Sequence, residues 1–283
     1  MLSAISSLKK SYQSNKLISV LFVYAIIAAA FACIAYNLGN WQKGLFLTLN
    51  HWLVNATGEQ FWYVITNFGD GFFLFPIAMI IFLNDQIRQK ILIVSLFTSC
   101  IIINCTKYAI AFGRPGTYFD GSEFNVIGNL LYSFNSLPSG HTATAFLLVG
   151  LAYSLNKKSL FYTLFGLASL VGLSRIAVGA HWPLDILFGM ITGLFCAYAA
   201  ILISQKLTNN NFWSIIYLSL STLTCYKLLS SALSDHHLHN SLWMTELTLG
   251  AICATLAFLQ LHSLLINSNM LNSVYFSKKS LKK

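Results

Sequence analysis

The chain has 283 residues, of which 56% are hydrophobic and only 9% carry a charge, whereas an ordinary soluble domain carries about 25% charged residues. Its mean hydropathy is +0.66, so the sequence has too little polar material to cover a water-soluble globule. These values exclude a cytosolic enzyme, a disordered tail and a disulfide-stapled secreted domain, and they predict a polytopic membrane protein.

A helix that crosses a membrane needs about 20 predominantly apolar residues. Eight stretches qualify, and the second of them is interrupted by Asp70 and Pro76. In chain order the predicted spans are 17–38, 61–83, 91–112, 140–155, 160–180, 183–204, 212–233 and 242–266. The sequence therefore predicts an all-α membrane helix bundle, with a six-span core over 17–204 and an extra helix pair over 212–266.

Lysine and arginine collect on the cytoplasmic side of membrane proteins. With the N-terminus inside, the predicted cytoplasmic segments hold 12 of the 17 basic residues. The net charge of +9 is then explained mainly by the basic residues that set the orientation of the chain in the membrane, and it indicates no nucleic-acid partner. Both termini, 1–16 and the basic tail 267–283, are predicted to be cytoplasmic, the tail near anionic membrane lipids. The oligomeric state is left open.

The first polar segment in the predicted bundle contains Lys107, Arg114 and Pro115. Charges at membrane depth cost about 2.5–3.5 kcal/mol each on insertion scales, so they are usually functional. The two cations are seven residues apart, hence nearly on one helical face, and Pro115 is expected to end the helix. They predict an anion receptor; the alternative is that both extend to lipid headgroups.

The second polar segment, Pro138 to His141, opens the fourth predicted span. Ser139 suits a helix N-cap, and Gly140 lets a ligand approach the backbone. Helix N-terminal amides favour phosphate, and His141 would lie beside that anion. The alternative interpretation is a capping turn followed by an interfacial histidine.

The third polar segment carries Arg175, His181 and Asp185. The four-residue spacing allows the carboxylate to accept a hydrogen bond from one imidazole nitrogen and to leave the other free. A histidine oriented in this way is a nucleophile or a base. The alternative is a buried Arg–Asp pair with an unrelated histidine.

The charge-based topology places all three segments at the extracytoplasmic face of the membrane. Phosphoryl transfer needs cations for the phosphate oxygens, a nucleophile and an acid for the leaving oxygen. The three segments together supply this set.

The segments follow the patterns K-x6-R-P, P-S-G-H and S-R-x5-H-x3-D without a substitution. In this respect residues 60–204 resemble the type 2 phosphatidic acid phosphatase family. The resemblance implies that His181 is a nucleophile forming a phosphohistidine, that Asp185 orients it and that His141 is the general acid. It also implies a phosphate-binding set of Lys107, Arg114, Ser139, Gly140 and Arg175. It implies no cofactor and no metal, and two histidines with one oriented carboxylate are a poor divalent-cation cage.

Three features lie outside the family pattern. The helix pair 212–266 carries no motif, and Lys227 is predicted to pair with Glu246 in a structural role. The loop 116–137 either caps the cleft and selects headgroups or is a solvated connector. Asp70 is left outside the site, because it could face the cleft or pair with a cation.

The sequence thus predicts a metal-independent lipid-phosphate phosphohydrolase of a plasma or bacterial inner membrane, with its active site on the outer face. Candidate substrates are undecaprenyl pyrophosphate, phosphatidylglycerol phosphate, phosphatidic acid and lipid A phosphates. The first alternative is a phosphotransferase that passes the same phosphate to a lipid A or sugar acceptor. A transporter or scaffold is the second, but both histidines are present and no inverted repeat is evident.

Overall fold

The computed structural model describes residues 2–37, 39–82, 86–153, 158–208, 211–234, 248–252, 254–255 and 258–259. Over these ranges the chain forms helices and no β-strand, which confirms the predicted all-α class. The helices, numbered in chain order, are α1 Leu2–Asn37, α2 Gly39–Thr57, α3 Glu59–Asn67, α4 Gly71–Phe82, α5 Gln86–Ile110, α6 Gly140–Tyr153, α7 Lys158–Ala177, α8 Pro183–Ser204 and α9 Asn211–Ser234.

Five described segments are long and apolar enough to cross a membrane, which supports the multi-pass assignment. They are Ser19–Asn37, Gln86–Thr117, Lys158–Ala177, Pro183–Ser204 and Phe212–Ser230. Most of the eighth predicted span, 242–266, lies outside the described residues. The same holds for Glu246, the predicted partner of Lys227, and for the tail 267–283.

The chain divides into two compact units. One unit contains Met1–Leu74 and Ile91–Thr208, and the other contains Phe75–Lys90 and Asn209–Lys283. Every residue of the three polar segments belongs to the first unit.

Helix α2 is an element that the search for apolar runs did not predict. Its buried residues recur every three or four positions: Gln42, Phe46, Asn50, Leu53 and Val54. Trp41 and Trp52 are exposed on its other side, at 64% and 63%. The helix is amphipathic, and an amphipathic helix has no continuous apolar run to detect.

The second predicted span, 61–83, is divided in the structure into α3 and α4. The amide of Phe72 donates to Oδ1 of Asp70 at 2.8 Å, so this carboxylate caps the start of α4. Pro76, expected to interrupt the span, lies inside α4. Asp70 therefore has a local structural role at the helix break.

Helix α6 is short but central to the first unit. Nine of its 14 residues are buried, so it packs against neighbours on all sides. It is shorter than the segments that are long enough to cross a membrane. It packs chiefly against α7 and α8. On α8 the buried positions include small side chains, which let membrane helices approach closely: Gly189, Gly193, Cys196, Ala197, Ala199 and Ala200.

A buried tyrosine joins three helices next to this core. The hydroxyl of Tyr24 on α1 lies 3.1 Å from Oγ1 of Thr106 on α5 and 3.2 Å from Oγ1 of Thr192 on α8. Its ring stacks on Phe188 and Phe195. These hydrogen bonds hold α5 against α8 at Thr106, the residue before Lys107.

The prediction that Pro115 ends the third span is wrong. Helix α5 ends at Ile110, and Ala111 takes a positive φ of 47°. Arg114 is extended, with φ −76° and ψ 164°, because the residue before a proline is sterically disfavoured in the helical region. Lys107 and Arg114 therefore do not share a helical face.

Candidate active site

The three polar segments meet at one end of the first unit. Lys107 lies in the last turn of α5, Arg175 in the last turn of α7, and Gly140 begins α6. The amide of Ser139 donates to the backbone oxygen of Asp185 at 3.1 Å, which joins the starts of α6 and α8. Antiparallel packing thus gathers residues that are far apart in sequence.

His181 and Asp185 form a buried pair at the start of α8. Nδ1 of His181 lies 3.1 Å from Oδ2 of Asp185, and both side chains are almost fully buried. The same oxygen accepts from the amide of Trp182 at 2.9 Å and from the hydroxyl of Ser136. Oδ1 has no partner among the described residues, so one carboxylate oxygen receives all three hydrogen bonds.

The loop between α7 and α8 holds His181 in place. The amides of Ala180 and His181 both donate to the backbone oxygen of Arg175, at 3.0 and 3.1 Å. Gly179 has a φ of +79°, and a Cβ there would lie 2.5 Å from the ring of Phe124. Only glycine fits this turn, which directs the next residues back toward Arg175.

Arg114 reaches the second nitrogen of the nucleophile candidate. Its Nη1 lies 3.3 Å from Nε2 of His181 and donates to the backbone oxygen of Ala180 at 3.1 Å. Its Nε donates to Oδ1 of Asn135 at 2.9 Å. Because Nδ1–H is assigned to the bond with Asp185, the lone pair of the ring is on Nε2. The phosphorus of a bound phosphate would need to lie near Nε2, with a phosphate oxygen near the guanidinium of Arg114.

His181 lies between the membrane-spanning segments, and its surroundings favour the neutral ring. Burial is the main cause that lowers the pKa of His181 well below its ordinary value. The neighbouring charges of Arg114, Arg175 and Lys107 lower that pKa further. The imidazole therefore keeps its lone pair at neutral pH, as a nucleophile requires.

The second polar segment forms the start of α6. Oγ of Ser139 accepts from the hydroxyl of Thr142 at 2.9 Å and from its amide at 3.5 Å. No atom lies within 4 Å of a Cβ built on Gly140, so that backbone is open to a ligand. The helix N-terminus therefore offers amide hydrogens to an anion.

His141 packs against the break between α3 and α4. A Cβ built on Gly69 would lie 2.8 Å from Cβ of His141 and 2.6 Å from Val171. Glycine is required here, because any side chain would displace the histidine. His141 is also close enough for its charge to contribute to the lowered pKa of His181.

Arg175 is buried, and its guanidinium is only partly bonded. Nη1 donates to Oγ1 of Thr66 at 2.5 Å, while Nε has no partner in the described chain. The predicted alternative, a buried Arg–Asp pair, is wrong, because Asp185 bonds to His181, Ser136 and Trp182 instead. A buried guanidinium whose Nε is unbonded suits a phosphate ligand.

Part of the loop 116–137 is anchored to the helix bundle. Asn50 on α2 donates to backbone oxygens of Asn125, Ile176 and Ala177 at 3.0 Å each, and it accepts from the Asn125 amide at 2.7 Å. The Ile127 amide donates to Val178 at 3.4 Å. The buried side-chain amide of Asn50 thus ties the long loop to the end of α7, directly before the loop that carries His181.

Sequence reasoning missed Ser136, Asn135, Asn50 and Thr66. Their partners lie 21 to 127 residues away, so no local spacing indicated them. Ser136 stands two residues before the Pro138–His141 motif, and that proximity was the one usable signal.

Replacing Ser136 by alanine is expected to lower kcat about tenfold with little change in KM, because Asp185 loses one of the bonds that fix its orientation toward His181. Ser136→Thr keeps the hydroxyl and should restore most of the rate. Ser169→Ala, which removes an exposed hydroxyl on α7, is the matched control. An unchanged kcat in Ser136→Ala would remove Ser136 from the site.

The described part of the chain contains no group of three or more His, Cys, Asp and Glu side chains able to hold a metal ion. The cations and histidines of the site instead surround a position suited to an anion.

A sequence model described as the PAP2 superfamily matches residues 89–209. This range contains all three polar segments. The part of the chain that carries the candidate site therefore matches the PAP2 superfamily. This match, together with the relatives described below, identifies the chain as a phosphatase.

Two curated relatives are lipid A 1-phosphatases. The protein from Rhizobium etli is 25% identical over 187 residues, covering 54% of this chain and 80% of its own. The protein from Rhizobium johnstonii is 26% identical over 187 residues, covering 54% and 76%. Both alignments extend over most of the relative.

A solved structure supports the fold. The PAP2-type phosphatidylglycerolphosphate phosphatase from Bacillus subtilis superposes with a TM-score of 0.50 at 23% identity, over 68% of this chain and 98% of its own. The similarity extends over nearly the whole of that enzyme, so the two chains share a transmembrane helical fold.

Proposed function

We propose that this chain hydrolyses a lipid phosphate at the membrane surface through a phosphohistidine on His181. The observation that carries the proposal is the buried His181–Asp185 pair, in which Nε2 of His181 lies 3.3 Å from Nη1 of Arg114. A neutral, oriented imidazole beside a guanidinium is the arrangement that attack on a phosphate ester requires.

In the first step, Nε2 of His181 attacks phosphorus and the bond from phosphorus to the lipid oxygen breaks. Asp185 stabilises the positive charge that develops on the ring. Lys107, Arg114 and Arg175, with the amides at Ser139 and Gly140, bind the phosphate oxygens and stabilise their charge in the transition state.

His141 completes the proton transfers. In the first step it gives a proton to the departing lipid alkoxide, which leaves as an alcohol. In the second step it accepts a proton from water, whose oxygen attacks phosphorus and breaks the bond to nitrogen. Inorganic phosphate is released, and His181 returns to its neutral form.

We place the site on the extracytoplasmic side of a plasma or bacterial inner membrane, with both termini cytoplasmic. The distribution of basic residues supports this orientation, since 12 of the 17 lie in the segments assigned to the inside. The substrate then approaches from the outer leaflet.

The first substrate to test is a lipid whose phosphate is attached to a sugar, as in lipid A. The names of the Rhizobium relatives support this choice. Phosphatidylglycerol phosphate, the lipid named for the Bacillus subtilis structure, is the second. Phosphatidic acid and undecaprenyl pyrophosphate complete the panel.

The test uses the full chain in detergent micelles with a metal chelator, and it measures inorganic phosphate released from each lipid. Release should continue undiminished with chelator and should be inhibited by vanadate, which adopts the five-coordinate geometry of the transition state. Strict dependence on a divalent cation would contradict the mechanism. Transfer of the phosphate to an added lipid or sugar acceptor would favour the phosphotransferase alternative.

A further inference from the structure

The side chain of Thr66, near the end of α3, is bonded to the phosphate-binding set without belonging to it. Its Oγ1 accepts from Nη1 of Arg175 at 2.5 Å, across 109 residues of sequence. Other helical threonines of the same unit, such as Thr57 and Thr106, donate instead to the backbone oxygen four residues earlier. Thr66 forms no such bond with any residue that the structure describes, so its hydroxyl is directed at the guanidinium.

The packing of α3 on α7 does not depend on this hydrogen bond. Ile65 and Phe68, close to Thr66 in the chain, pack against a buried apolar cluster that includes Ala168 and Val171 of α7. Van der Waals contacts of this kind hold membrane helices together without a polar bond. The bond from Arg175 therefore has a role other than joining the two helices.

The guanidinium of Arg175 is subject to repulsion. The charge of Arg114 acts on it unfavourably, since both cations belong to the phosphate-binding set. The charge of Asp70 acts on it favourably, but Asp70 and Arg175 form no ion pair among the described side chains. Before an anion binds, the two arginines would therefore move apart unless hydrogen bonds held them.

Both arginines are held by neutral oxygens. Arg114 donates to Oδ1 of Asn135 and to the backbone oxygen of Ala180, and Arg175 donates to the hydroxyl of Thr66. A carboxylate in either position would neutralise the guanidinium and compete with a phosphate for its N–H groups. A neutral acceptor fixes the direction of the guanidinium and leaves its charge to the ligand.

We propose that Thr66 is a positioning residue, which holds the guanidinium of Arg175 ready for the phosphate group of the substrate without neutralising it. Thr66 acts through Arg175 and makes no contact with the reacting atoms. The role resides in the hydroxyl oxygen, since it is this atom that accepts from Nη1. The inference rests on the proposed function, because it takes the ligand of Arg175 to be a phosphate.

A binding experiment tests the role of Thr66 without catalysis. Inorganic phosphate is titrated into the full-length His181→Asn protein in detergent, and bound phosphate is measured by equilibrium dialysis. Adding Thr66→Val, which keeps the shape and removes the acceptor, should weaken phosphate binding about tenfold. Thr66→Ser should restore the affinity to within about threefold. Thr163→Val, at an exposed threonine of α7, is the matched control and should leave the affinity unchanged.

The pair Thr66→Asn and Thr66→Asp separates positioning from packing. The two side chains are of equal size and both offer an oxygen to Arg175, but only aspartate is charged. If Thr66 served only to join α3 to α7, the ion pair in Thr66→Asp would serve at least as well as the amide. The proposed role requires the opposite, with phosphate affinity at least about tenfold lower in Thr66→Asp than in Thr66→Asn. Equal or higher affinity in Thr66→Asp overturns it.

Kinetics of the catalytically intact chain give a second readout. Thr66→Val should lower kcat/KM for a lipid phosphate about tenfold, and Thr66→Ser should restore it. Should Thr66→Val fail to fold, the comparison of Thr66→Asn with Thr66→Asp decides.

The outcomes distinguish this inference from the proposed function. Full activity of His181→Asn would overturn the proposed mechanism, while dialysis would still decide the role of Thr66. Unchanged phosphate affinity in a folded Thr66→Val protein overturns the positioning role, even if phosphate release by the parent chain is normal. Absence of phosphate binding in the His181→Asn protein with Thr66 intact overturns it as well.

Discussion

Replacing His181 by asparagine is expected to lower kcat for phosphate release by about a thousandfold or more, because the chain then has no nucleophile at the phosphate position. Asparagine retains a polar side chain in a buried position, so the fold should persist. KM should change little, since Lys107, Arg114 and Arg175 remain to bind the phosphate. The measurement is inorganic phosphate released from a lipid phosphate in detergent micelles.

His51→Asn is the matched control, because His51 is an exposed histidine on α2 in the same unit. It should retain the parent rate, and thermal unfolding should show that both variants are folded. A labelled phosphate on the parent protein, trapped by rapid denaturation in alkali and missing from His181→Asn, would identify the intermediate. A His181→Asn rate within tenfold of the parent would contradict a histidine nucleophile.

Replacing His141 by glutamine is expected to lower kcat by about 10²- to 10⁴-fold for a lipid phosphate, the usual contribution of general acid catalysis. The loss should be much smaller for 4-nitrophenyl phosphate in the phosphorylation step, because its leaving group needs no proton. Single-turnover kinetics isolates that step from the later attack by water. Comparing the two substrates in one variant separates proton transfer from binding.

Lys107→Met provides the contrast for the His141 experiment. Lys107 is assigned to phosphate binding, so its loss should slow both substrates by a similar factor. If His141→Gln also slowed both substrates equally, His141 would have a binding or packing role in place of acid catalysis.

The membrane fold follows closely from the sequence, because apolar runs and the positions of basic residues reflect the bilayer directly. Helix α2 does not follow in this way. Its contribution lies in Asn50 and Gln42, polar residues that are buried by the tertiary structure. A search for continuous apolar runs detects burial in lipid and not burial within protein.

The candidate site residues could be named from the sequence, since spans that alternate in direction bring every second loop to the same side. The backbone conformation around Arg114 could not be predicted in this way. Two cations seven residues apart indicated a shared helical face, but Ala111 leaves the helical region and the chain becomes extended before Pro115. The guanidinium reaches His181 from this extended segment.

Ser136 shows a different limit of sequence reasoning. Its bond to Asp185 crosses 49 residues, and a lone serine in a loop has no pattern that distinguishes it from other loop serines. Likewise, Thr66 beside Arg175 is identified only once α3 and α7 are packed together.

The hydrogen bonds on Asp185 also bear on protein design. Oδ2 accepts hydrogen bonds from Ser136, Trp182 and His181, and the Asp185 backbone oxygen accepts one from Ser139. His181 is therefore oriented by two separate chain segments. Grafting a histidine and an aspartate four residues apart onto another helix would reproduce the pair but not its orientation. The smallest portable form of the oriented His181–Asp185 pair is the two segments 136–140 and 181–185 held in register.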